Sequence, residues 1–207
     1  QALTATQVAG LSAGNVGDLT ESQIAAFSTV QVQALTSTNL AAMADTQIAA
    51  LTETQVAALA TAQVQGLTAT NVQALTTTQV GALTATQIGQ LSTANVRALA
   101  DTQVAALTTT QVRALTATQV TALQTTDIGE LTETQVGALT ATQIQALSAT
   151  NFAALAEMQI AALSTTQLQS VSAAQATALT ATQVGALSTT QVANLSTTQL
   201  RAFTNAN

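Results

Sequence analysis

An apolar residue recurs every eighth position from Leu3 through Leu11, Leu19, Phe27, Leu35 and Met43 to Phe203, without one insertion or deletion, and all 26 occurrences are apolar. Numbering Leu3 as position 1 of the period exposes a second apolar row at position 6. It runs Val8, Val16, Ile24, Val32 and Leu40 to Leu200, with Phe152 its largest member and Ala176 its smallest. Position 5 is Gln in 19 complete octapeptides, Asn in five (Asn15, Asn39, Asn71, Asn95, Asn151) and Asp once, Asp127. Position 2 is Ser or Thr in 21 of 26. The consensus is Leu-Thr-x-Thr-Gln-Val-x-Ala, and the chain must adopt a backbone that repeats on this period.

A period of eight rules out one continuous α-helix. Eight steps of about 100° leave each leucine roughly 80° from the last, so no lasting apolar stripe forms. A β-solenoid has Thr and Val in its favour. Against it, positions 1 and 6 have opposite parity and would face opposite ways on a straight strand without a corner in every octapeptide. Such corners draw on Gly, Asn or Pro; there is no Pro, and the nine Gly do not recur repeat by repeat.

A short helix in each octapeptide satisfies more of the pattern. Ser or Thr at position 2 with Gln at position 5 is a capping box, and the apolar residues at positions 1 and 6 then fall at N′ and N4, the partners of a hydrophobic staple. Charge placement agrees with the helix dipole. Glu21, Asp45, Glu53, Asp101, Glu133 and Glu157 occupy position 3, the first helical residue, and Arg97, Arg113 and Arg201 occupy position 7 in the last turn. Three of the four octapeptides with Ala at the cap (Ala44, Ala60, Ala100, Ala156) carry an acid next to it. The expected fold is all-α: a single array over residues 1–207 of about 25 short helices, six or seven residues each, forming a regular superhelix with no distinct capping domains. The alternative is the β-solenoid. Helices this short hold only by packing on their neighbours.

The string Leu51-Thr52-Glu53-Thr54-Gln55-Val56-Ala57-Ala58-Leu59 resembles the opening helix of TAL-effector repeats, a local likeness that supports helix. That family's second helix and base-reading loop have no counterpart here. As a whole the chain resembles the Thr/Ala/Gln-rich octapeptide arrays of large bacterial secreted or surface proteins, adhesin-like or fibre-like. That resemblance implies an extended structure at a cell surface or outside the cell.

Composition closes several functional classes. His, Cys, Lys and Tyr are absent, so acid–base and nucleophilic chemistry would have only carboxylates and hydroxyls to draw on. No catalytic, cofactor-binding or metal-binding residue is assigned, and the chain is expected not to be an enzyme. The densest carboxylates, Asp127, Glu130 and Glu133, and the pair Asp18 and Glu21 could bring oxygens toward Ca²⁺; the favoured reading is solvated acids around a helix start. The amide row is read as local capping; the Thr-x-Thr rows would face ice or glycan on a flat β-solenoid and on short helices fall at the N-cap and N2; Asn194-Leu195-Ser196 is an isolated glycosylation sequon. A net charge of −6 cannot neutralise phosphates, so no nucleic acid is expected as a partner. The longest apolar runs are about five residues against the roughly 20 needed to span a bilayer, so no membrane insertion is expected. The chain opens at position 7 and stops at position 5 without a polar cap. The expected partners are flanking repeats of a longer chain or further copies stacked head to tail.

Overall fold

The computed structural model describes residues 3–205, and there the chain forms 25 helices with no strand among the described residues. The first three, α1 (Ala5–Ala9), α2 (Ala13–Gly17) and α3 (Glu21–Ala25), set the rule: each begins at position 3, eight residues after the one before. The helices up to α24 (Thr189–Ala193) have five or six residues, one fewer than expected, and α25 (Thr197–Asn205) runs on to nine. The shortening comes from position 1. Its residue already has extended dihedrals, as at Leu35 (φ −63°, ψ 137°), and position 2 follows suit, as at Thr36 (φ −76°, ψ 161°).

Two extended residues therefore link each helix to the next, and the last turn closes with a tighter bond from the position-1 N–H to the position-6 carbonyl (Leu35 to Val32, 3.1 Å). No described residue has a positive φ. The reversal needs only conformations open to every L-residue, which is why no octapeptide requires a glycine.

The expected caps are present. In α7 (Glu53–Ala57) the Thr52 hydroxyl accepts from the Gln55 N–H at 3.2 Å, and Gln55 Oε1 accepts from the Thr52 N–H at 2.7 Å. Where Ala occupies the cap, the glutamine keeps its half of the box: Ala44 donates to Gln47 Oε1 at 2.9 Å and Ala100 to Gln103 Oε1 at 2.8 Å. The six position-3 acids are each the first residue of their helix, and Arg97 and Arg113 lie in last turns. Arg201 does not, because α25 continues past it.

The chain falls into two compact units, Gln1–Ala106 and Leu107–Asn207. Within each, a helix packs on the third one along: α3 on α6 (Asp45–Ala49) in the first unit, α17 (Glu133–Ala138) on α20 (Glu157–Ala161) in the second. Each unit is thus an all-α solenoid. In its interior the position-6 side chains are wholly enclosed and the position-1 leucines nearly so, so both apolar rows lie in the core. That burial supplies what a helix of five residues lacks alone.

Candidate functional site

The glutamine row carries the connection between successive turns of the coil. In α6, Gln47 Oε1 caps its own helix, while Nε2 lies 2.9, 3.2 and 2.6 Å from the carbonyl oxygens of Val16, Gly17 and Leu19. Those carbonyls end α2 and its link, where the α-helical i to i+4 donors run out; the Val16 oxygen takes the Leu19 N–H at 3.2 Å as well. One side chain therefore caps the start of its own helix and the end of another. The same pattern holds in the second unit, where Gln167 Nε2 reaches the Val136 and Leu139 carbonyls at 2.9 and 2.7 Å.

The donor and its acceptors are 28 and 31 residues apart. Other bonds between turns, such as Gln33 Nε2 to the Ala58 carbonyl at 2.8 Å, span 25. A turn therefore takes up between three and four octapeptides, a non-integral number, and each helix meets parts of two others in the preceding turn.

The amide row does the local capping that the sequence predicts, and that is half of its role. It is also buried, with interior glutamines 2–4% exposed, so the core has three rows. The signal was present in the sequence. A capping box accepts Glu as readily as Gln, and six acids sit two residues away at position 3, yet position 5 is never Glu. Of the two, only the amide both accepts and donates, since an ionised carboxylate only accepts. Asparagine, one methylene shorter, keeps a single bond to the nearest carbonyl: Asn39 to Leu11 at 3.0 Å and Asn151 to Leu123 at 2.8 Å.

The carboxylate cluster does not assemble. Glu130 and Glu133 are exposed, but Asp127 is fully buried in the amide row, its Oδ2 accepting from the Gln124 N–H at 2.6 Å. The reading of Asp127 as a solvated acid is corrected on this point: position 5 faces inward whatever residue occupies it. Among the described residues no group of acids is arranged to hold a metal ion. Glu21 lines a shallow groove between α3 and α6 together with Leu19, Thr20, Ala44, Thr46 and Gln47; similar grooves lie along Glu133 and Glu157. The second hydroxyl of each Thr-x-Thr pair is exposed at N2, and in places it bonds the first, as Thr76 with Thr78 at 3.0 Å. Asn194 of the sequon is exposed, with its amide on the Thr190 carbonyl at 2.8 Å.

The row changes character at the two extremes of the described chain. Gln7, Asn15 and Gln23 cap their own helices but are exposed, and the first bond between turns is that of Gln31 Nε2 to the Leu3 carbonyl at 2.5 Å. Leu3 is 38% exposed, while Val8, Val16 and Ile24 in the same turn are fully buried. In the last turn the order inverts: Gln183, Gln191 and Gln199 are buried, and Val192 and Leu200 are 39% and 40% exposed. Positions 1 and 5 are therefore covered by the preceding turn and position 6 by the following one.

No curated protein matches the chain. No helix among the described residues is long and apolar enough to cross a membrane. A family model described as the ALTTAQ repeat matches residues 24–61, 56–93 and 86–117. With the unbroken period and the helical coil, these matches make the chain a tandem-repeat protein whose octapeptides over that stretch are similar to the ALTTAQ repeat.

Proposed function

We propose that the chain is a structural repeat protein. It forms a rod or filament segment that spaces or scaffolds other components at a cell surface or in an extracellular matrix, and it self-associates end to end. It is not an enzyme. The observation that supports this reading is the use to which each octapeptide is put: Leu, Val and Gln all serve to bind one turn of the coil to the next. What remains outside is mostly Thr, Ala and small polar residues without catalytic chemistry. The surface location follows from the resemblance to bacterial surface arrays. Electron microscopy of the purified chain across a concentration series tests the proposal. Strings or thin fibres that lengthen with concentration are expected, and a strict monomer at every concentration overturns end-to-end association.

A second reading, a binding module for ice, glycan or peptide, is favoured by the exposed N2 hydroxyls and the shallow grooves beside Glu21, Glu133 and Glu157. Saturable binding of a glycan or peptide array to the folded chain would establish it over the scaffold. A scaffold shows none.

A further inference from the structure

We infer that end-to-end association is polar: the first turn of one copy seats on the last turn of a second copy, held by the same amide-to-carbonyl bonds that join turns inside the coil. This inference rests on the end-to-end reading above and adds the faces, register and residues. Where the polypeptide continues past these turns, its own next turn meets the same surfaces; for the 207-residue chain in solution, the partner is a second copy of it.

The two faces are complementary in kind. The first turn presents leucines that the interior covers (Leu3 38% exposed, Leu11 and Leu19 half-buried) and the amides of Gln7 and Asn15. The last turn presents Val192 and Leu200, members of a row that is fully buried in the interior, and its helices end in carbonyls of the kind that interior amides bond. Each face thus lacks what the other offers, in hydrogen bonding and in apolar surface.

Register follows from the interior step. A glutamine meets the carbonyls 28 and 31 residues before it, and an asparagine meets the one 28 before it. Let Leu3 of the second copy take the place of the next position-1 residue after Phe203. Gln7 of that copy then falls on the Leu187 and Val184 carbonyls, and its Asn15 falls on the Leu195 carbonyl. Two first turns brought together would oppose donor to donor, and two last turns acceptor to acceptor. Association is therefore heterologous, and it gives open strings wherever the rotation per copy does not close a ring.

The test uses the 207-residue chain and two variants. Gln7→Glu with Asn15→Asp keeps an oxygen for each helix cap but replaces both donors by carboxylates facing carbonyls. It should weaken association by about a hundredfold in sedimentation or light scattering. Val192→Asp with Leu200→Asp blocks the opposite face. Each variant alone should be monomeric at concentrations where the parent forms strings, and an equimolar mixture should give one-to-one dimers and nothing longer, because only one competent face remains on each. Ala5→Glu with Ala13→Glu adds the same charge at position 3, where acids already occur, and should associate like the parent. Thermal unfolding of every variant at the parent's midpoint shows that the turns themselves are intact. If the Gln7/Asn15 variant still associates like the parent, or the position-3 control is weakened equally, polar docking through the amides is overturned while end-to-end association stands. A parent chain that stays monomeric overturns both.

Discussion

The first turn and an interior turn contain the same octapeptide and bury it differently. Leu3 is 38% exposed and Leu115 only 5%; Gln7 is exposed, whereas Gln143 is 3% exposed and donates to the Val112 and Leu115 carbonyls at 2.8 and 2.7 Å. Val8 and Val112 are equally buried. What separates the two turns is the presence of a preceding turn, which matters to positions 1 and 5 and not to position 6. Each octapeptide has a backward face of leucine and amide and a forward face of valine. Its stability is set by its nearest neighbours rather than by the sequence of its own helix.

The comparison can be broken most forcefully at position 1. Leu115→Asp should lower local stability by about 5 kcal/mol, because an enclosed leucine is lost and a carboxylate is left among apolar side chains. Leu3→Asp should cost about 1 kcal/mol, close to the effect of Thr121→Asp at the exposed position 7. Hydrogen exchange of the flanking helices reads the difference, and equal losses at Leu115 and Leu3 would show that the backward face is misassigned. At position 5 the contrast is chemical. Gln143→Glu keeps the cap but turns a donor into a buried carboxylate against two carbonyls, for about 3 kcal/mol. Gln7→Glu meets water and should cost less than about 0.5 kcal/mol in chemical denaturation. The smallest contrast is steric and compares two glycines at position 8. A Cβ on Gly66 would lie 2.4 Å from Ser37 Cβ, whereas one on Gly10 meets nothing nearer than 3.5 Å. Gly66→Ala should therefore destabilise by about 1–2 kcal/mol as the two turns are pushed apart, and Gly10→Ala should leave the melting midpoint unchanged or raise it.

The local fold was legible in the sequence because its determinants are local. Thr52 and Gln55 sit at capping distance, Leu51 and Val56 at staple distance, and Glu53 at the positive end of its helix, all within six residues. The arrangement of turns was not legible. Nothing in a row of near-identical octapeptides says whether Gln47 will meet the backbone 16, 24 or 28 residues earlier; that distance depends on how far each link rotates the chain. The double role of the glutamines stayed hidden for a related reason. A capping box already explained Gln55, and only the exclusion of Glu from position 5 pointed to a second demand on the side chain. Asp127 shows the limit of charge as a guide, since the row places it inside.

The acceptors that the glutamines find are main-chain oxygens, which every residue possesses. A bond of this kind carries no address: Gln47 would be as well served by the end of any other helix brought to the same place. Lengthening or shortening the array by one octapeptide gives new partners of the same kind to the amides of the next three or four octapeptides, and leaves later ones with the partners they had. For the amide bonds, gain or loss of 24 base pairs is therefore silent, whereas a change that breaks the eight-residue frame is not; side-chain matches such as Gly66 against Ser37 are what such a change must still satisfy.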